Sequence, residues 1–174
     1  MINKELLLHC CCGPCSTICI KRLIDDHWSV ILFYNNSNIF PFGENEKRYQ
    51  NLLKVADYYK LKVIRGVYEH DKWKAFIKGY ENEKEHGKRC LLCYEYNLKE
   101  AYDKAIELNI HFFTTTLTVS KFKKSEQIFT VGENLDGFQR IDFKKRDGFS
   151  ESVKMAREME LYRQTYCGCE FSMK

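Results

Sequence analysis

Nine cysteines fall into three groups along the chain. Cys10, Cys11, Cys12, Cys15 and Cys19 lie within ten residues, Cys90-Leu91-Leu92-Cys93 forms a C-x-x-C, and Cys167-Gly168-Cys169 forms a C-x-C. A secreted disulfide scaffold would be shorter and denser in Cys, and would follow a signal peptide. In a reducing compartment, clustered thiols point instead to metal binding or redox catalysis. A structural zinc site closes with four ligands. At least six plausible ligands are present, which exceeds one zinc. Iron–sulfur clusters also take thiolates, usually four. Iron–sulfur is therefore the stronger expectation and zinc the open competitor, with a surplus that permits a second metal or a redox dithiol.

The members of each group are not equivalent. Cys19 sits one turn inside an apolar helix face and is expected in the core, as free Cys often is. Cys10 is expected to face the packing of the first strand, because adjacent strand residues point opposite ways. Cys11 and Cys12 are the better ligand candidates, and Cys15 is open to either role. The C-x-C with its central Gly suits either a metal or a strained, reducible disulfide.

The elements that must position these thiols alternate. Strands are expected at 4–9, 28–34, 61–65, 110–116 and 138–143. Helices are expected from Pro14 to about His27, then at 44–60, 71–80, 91–109, 125–135 and 150–162, with Ser125 as an N-cap. Residues 81–88 read as a solvated charged loop. The pattern predicts a single-domain α/β fold over 1–174, with a mostly parallel, Rossmann-like sheet flanked by helices. The metal site should lie at the C-terminal edge of the strands, where open α/β sheets bind ligands. Cys10–Cys12 fall at that edge, where the free N–H groups of the first helix favour thiolate.

Composition excludes other classes. With 44% hydrophobic and 30% charged residues, the chain is not disordered, and nine Gly with two Pro exclude collagen-like and linker-rich readings. No run reaches the ~18 apolar residues of a membrane span. Met1 to Leu8 is too short and too acidic for a secretory signal, so a cytoplasmic protein is expected. No G-x-G-x-x-G and no G-x-x-x-x-G-K-[ST] occurs. Electrons should therefore come from a protein donor such as a ferredoxin or flavodoxin.

Read in order, His9-Cys10-Cys11-Cys12-Gly13-Pro14-Cys15-Ser16, Phe33-Tyr34-Asn35, Arg89 to Tyr94, Phe112 to Leu117, Asp142-Phe143-Lys144-Lys145 and Leu161 to Cys169 resemble the cobalamin-independent epoxyqueuosine reductases over almost the whole chain. The Leu-Tyr-Arg-Gln-x-Tyr-Cys-Gly-Cys ending combined with Cys-Cys-x-Pro-Cys is highly specific. One departure is Asn35-Asn36-Ser37-Asn38, where the family often has Asn-Pro-Asn. The resemblance implies two-electron removal of the epoxide oxygen from epoxyqueuosine at the wobble position of tRNA, giving queuosine. It implies a [4Fe-4S] cluster on Cys11, Cys12, Cys90 and Cys93; Cys15 is a candidate additional ligand from its place in the first group alone. Cys167 and Cys169 would then be a redox-active dithiol, or would bind a second metal (iron), with Asp142 as a further ligand.

The chemistry also needs a proton donor, for which His9, Tyr34, Tyr94, Tyr166 and Asp142 are candidates. For each tyrosine, packing with a satisfied hydroxyl is the simpler expectation. The net charge of +4 is modest for a nucleic-acid binder. However, Lys121, Lys123 and Lys124 form one basic cluster, and Arg140, Lys144, Lys145 and Arg146 another. These are the candidate tRNA-binding residues, while Phe122 is expected in the core. Two competing functions stand beside this one: a metal-free thiol–disulfide oxidoreductase and a zinc-stabilised RNA-binding module.

Overall fold

The structure is a computed structural model that describes residues 4–173; residues 1–3, the start of the stretch weighed above as a signal, lie outside it. Strands β1 (Lys4–His9), β2 (Trp28–Tyr34), β3 (Val63–Arg65) and β4 (Phe112–Thr115) form one parallel sheet in the order β3-β2-β1-β4. Central β1 pairs with both β2 and β4, with His9 opposite Phe33 on one side and Thr115 on the other. The run Leu6-Leu7-Leu8 is fully buried because both faces of the sheet are covered. Leu6, Leu8 and Cys10 pack on one side with Ile18, Cys19, Leu52 and Ala156. Leu7 packs on the other with Ala101, Ala105 and Phe113. The helices that supply these faces are α1 (Gly13–Asp25), α2 (Phe42–Tyr59), α4 (Lys88–Glu107) and α6 (Gly148–Glu158); the shorter α3 (His70–Phe76) and α5 (Ser125–Gly132) lie beside α4. No helix among the described residues is long and apolar enough to cross a membrane.

The fifth strand expected at 138–143 does not form. Only one ladder contact survives, between Phe113 and Phe138. After Thr115 the chain winds into a 3-10 helix, Thr116–Val119, so β4 offers no further backbone partners. Threonine side chains take over: Thr114 donates to the carbonyl of Gln139 and Thr118 to that of Ile141, while Phe143 N–H donates to Thr118 Oγ1. The expected Ser125 cap is also absent, because its hydroxyl donates to Asp142 Oδ1 at 3.0 Å. The helix from 88 starts three residues earlier than its apolar period indicates, held by Arg89, whose guanidinium donates to the carbonyls of Glu81 and Glu83.

Candidate metal and substrate site

The first cysteine group is built by the β1–α1 junction. Cys12 is extended (φ −169°) and caps α1, its sulfur accepting the Cys15 N–H at 3.4 Å. This turn brings the sulfurs of Cys11, Cys12 and Cys15 within 4.8 Å of one another. Cys11 Sγ also accepts from the Thr116 hydroxyl, and Cys12 Sγ from Gln164 Nε2 at 3.1 Å. Hydrogen bonds from Cys12 and Cys15 hold the Cys11 thiol well below its ordinary range, and both of those thiols are pushed up in return. Cys10 and Cys19 are fully buried in the core, as their positions predict.

The other two groups reach the same place. A cavity of about 620 Å³ at the C-terminal ends of the strands is lined by Cys11 and Cys15 from the first stretch, Cys93 from the second and Cys167 from the third. Cys90 packs with Cys11 against one apolar cluster, Tyr94, Leu98, Leu117 and Ile128. Cys169 packs with Trp73 and Ile77 in a cluster that Cys93 also borders, and Cys167 and Cys169 both lie close enough to Cys90 and Cys93 to reinforce burial in raising their pKa values. All nine cysteines are free thiols.

Arg48 anchors the third stretch, and sequence reasoning did not find it. Its side chain is 2% exposed; Nε donates to Glu44 at 2.8 Å, Nη1 to the Cys167 carbonyl at 2.9 Å and Nη2 to the Tyr166 carbonyl at 3.0 Å. Gly168 sits at φ +139°, and a Cβ there would lie 3.1 Å from the Arg48 guanidinium, so glycine is required. The Tyr166 hydroxyl donates to the Phe40 carbonyl and Phe40 N–H to that of Gly168, which closes the segment onto the loop after β2.

That loop, Asn35 to Asn38, is buried throughout. Asn36 Nδ2 donates to the Cys10 carbonyl, and Asn38 Oδ1 accepts from Asn97 Nδ2 at 3.1 Å. Asn97 Oδ1, Gln164 Oε1 and His86 Nδ1 are buried without a partner, and all three residues line the cavity. Buried polar atoms left unpaired cost free energy, and a polar ligand is one way to satisfy them. His86 falls in the stretch read as a solvated loop, and no residue pattern marks it.

The candidate proton donors separate clearly. His9 is fully buried outside the cavity lining: Nε2 contacts Asn36 Oδ1 and Nδ1 contacts Thr115 Oγ1, and burial lowers its pKa. It is a neutral tie between β1, β4 and the asparagine loop, not a donor. Tyr34 is also buried away from the cavity, donating to the Asn45 carbonyl. Tyr166 lines the cavity, but its hydroxyl is committed to Phe40. Tyr94 lines it too; burial raises its pKa despite the nearby Lys123 cation, so it keeps its proton. Asp142 does not line the cavity: Oδ1 accepts from Ser125 Oγ and from Lys144 N–H, which fixes the local turn.

The basic residues also separate. Lys123 does not face solvent with its neighbours but lines the cavity. Burial opposes its charge, yet the surrounding sulfurs, Cys167 and Cys11 foremost, raise its pKa overall. Lys144 is not free for phosphate, because its ammonium donates to the carbonyls of Thr118, Ser120 and Lys123 at 2.8–3.1 Å. Arg140 is paired with Glu126 and Glu133. Lys121, Lys124, Lys145 and Arg146 are exposed. Phe122 is not in the core: it is 64% exposed, at the cavity.

The donor set of clustered soft thiols beside a cavity fits a metal or iron–sulfur site. The sequence profile of the family described as "Epoxyqueuosine reductase QueH" matches residues 6–174. Proteins of that name from Streptococcus pyogenes serotype M1 and Thermotoga maritima are each 32% identical to the chain, over 99% and 97% of it and 72% and 90% of their own lengths. One from Acinetobacter baylyi is 30% identical over 98% of this chain and 81% of its own. Among solved structures, the U34-tRNA thiolase NcsA from Methanococcus maripaludis with its [4Fe-4S] cluster superposes with a TM-score of 0.62 at 14% identity, over all of this chain and 63% of that one. The NH3-dependent NAD synthetase from Campylobacter jejuni superposes at 0.57 with 15% identity, over 96% and 72%. Both show a shared Rossmann-like fold.

Proposed function

The chain belongs to the epoxyqueuosine reductase QueH family, and from that premise we propose that it reduces epoxyqueuosine to queuosine in tRNA within the cavity where its three cysteine stretches meet. It is an oxidoreductase. The reaction consumes two electrons and two protons, opens both C–O bonds of the epoxide, leaves an alkene and releases the oxygen as water. The convergence of Cys11, Cys15, Cys93 and Cys167 on one cavity is the observation that carries this reading.

Cys11, Cys12, Cys90 and Cys93 are the proposed ligands of a [4Fe-4S] cluster. Cys15 is a fifth candidate because its sulfur lies in the same group as Cys11 and Cys12. When bound, such a cluster supplies electrons one at a time, taken from a ferredoxin or flavodoxin. Cys167 is the member of the C-x-C that can meet the substrate, either as half of a dithiol with Cys169 or as a ligand of a second iron. The Lys123 ammonium, which lines the cavity, would stabilise negative charge on the departing oxygen. The Tyr94 hydroxyl is the candidate proton donor, since Tyr166 and His9 are engaged elsewhere. Asn97 Oδ1 offers a buried acceptor to the hydroxyls of the substrate ring. A tRNA substrate sets the reaction in the cytoplasm.

Anaerobic purification tests this directly. Iron and acid-labile sulfide should copurify, and epoxyqueuosine in tRNA should be converted to queuosine by nucleoside mass spectrometry. A colourless protein that reduces generic disulfides, or one with stoichiometric zinc and no reductase activity, overturns it.

A further inference from the structure

Phe122 is an exposed aromatic on a loop that is tied down. Its N–H donates to Ser120 Oγ, Lys123 N–H donates to the Ser120 carbonyl, and Lys144 clamps three carbonyls of the same turn. Leaving a large apolar ring 64% exposed on a fixed loop forgoes most of the stabilisation its burial would give. The ring meets Phe149 edge-on, centroids 6.2 Å apart at 86°, and Lys121 Nζ lies 5.2 Å and 5.0 Å from the two centroids. Both rings line the cavity, as does the exposed Arg163, which has no ion pair among the described residues.

Phe149 also lines a second, open depression of about 410 Å³ with Ser150, Val153, Lys154 and Arg157. The spacing of Ser150, Val153, Lys154 and Arg157 puts them on one face of α6. Lys154 and Arg157 are exposed and form no ion pair among the described residues, although Glu158 borders the same depression. The molecule thus carries a continuous track: cavity, aromatic pair, cationic helix face. Alternation of stacking rings and free cations is the chemistry of single-stranded nucleic acid. An apolar peptide would gain nothing from the unpaired cations.

Resting on the tRNA reading above, we propose that nucleotides flanking the modified base leave the cavity over Phe122 and Phe149, one base stacked on Phe122, with phosphates on Lys154 and Arg157. The ring supplies sequence-tolerant stacking and the cations fix the strand direction, while the target nucleotide occupies the cavity.

The test is anisotropy of a fluorescently labelled anticodon stem-loop RNA bound to the anaerobically purified protein over a salt series. Phe122→Ala should weaken binding about 5-fold to 150-fold, with the salt slope unchanged. Phe122→Trp should restore it and Phe122→Leu should not, which separates stacking from general apolar contact. Lys154→Ala combined with Arg157→Ala should lower the slope of log K against log salt by about 1.4. Wild-type affinity in Phe122→Ala, or an unchanged slope in the double variant, overturns the track alone. Failure of the unaltered protein to bind the stem-loop overturns the tRNA reading itself, and the track with it.

Discussion

Replacing Arg48 with Met tests how the third cysteine stretch is held. The guanidinium is almost fully buried and serves three acceptors on two parts of the chain: Glu44 one turn away in α2, and the carbonyls of Tyr166 and Cys167 more than a hundred residues on. Hydrogen bonds to a charged group contribute ~1.5–3 kcal/mol each, and removing one partner of a buried ion pair costs ~3–5 kcal/mol. These do not add. Glu44 keeps the Tyr162 hydroxyl and is 12% exposed, which softens the loss of its partner. The expected cost is therefore about 3–5 kcal/mol in total, a fall of roughly 6–20 °C in Tm for a chain of this size. Arg65→Met is the control: it breaks an ion pair with Glu46 at the surface, worth ~0–1 kcal/mol. A second readout distinguishes anchoring from bulk stability. With the two carbonyls released, Cys167 should be alkylated faster, followed peptide by peptide in the mass spectrometer at a temperature where the variant is folded. A Tm within ~2 °C of wild type would refute the energetic argument. Lost stability with an unchanged Cys167 rate would refute the anchoring.

Two further expectations bear on the chemistry. Cys11→Ser, Cys12→Ser and Cys90→Ser should each lower iron and sulfide content sharply, whereas Cys19→Ser should not, since its sulfur packs in the core and donates to the Cys15 carbonyl as a hydroxyl would; equal iron in all four variants removes the proposed ligands. Tyr94→Phe should reduce kcat by about 100-fold or more with little change in KM, the range for a general acid, and unaltered turnover would assign the proton to another group.

The parts of the molecule legible in the sequence are those set by local pattern. Leu6-Leu7-Leu8 and the Pro14 helix start fix the first strand, the first helix and the cysteine turn between them, and the alternation that follows fixes the parallel sheet. The burial of Cys10 and Cys19 in the core was legible from strand and helix facing, whereas the equal burial of Cys12, which caps α1, was not. What was not legible depends on partners distant in the chain. Residues 138–143 have strand composition, but a strand needs a neighbour with free backbone groups, and β4 ends at Thr115. Nothing near Arg48 in the sequence marks it as the anchor of Cys167. His9 and Tyr34 carry the right functional groups for proton transfer, yet their partners Thr115, Asn36 and Asn45 consume them. Gln164 is the exception, since it stands inside a highly specific stretch of the family resemblance.

The basic residues show the same principle at its sharpest, because Lys121, Lys123 and Lys144 have three physical fates. The 3-10 helix after β4 ends with carbonyls that no intrahelical donor reaches. Lys144 donates to one of them, that of Thr118, and at the same time to the carbonyls of Ser120 and Lys123 in the turn that follows. With its backbone fixed in this way, the turn presents Lys121 and Phe122 outward and Lys123 into the cavity. A cation outside the cavity thus determines where a cation inside it stands. Counting charges along the chain cannot reveal this, because the quantity that matters is which ammonium lies within reach of these carbonyls. Lys144 claims them and leaves Lys123 free to face the sulfurs, so the positive charge at the proposed reaction centre is a consequence of how a short helix ends.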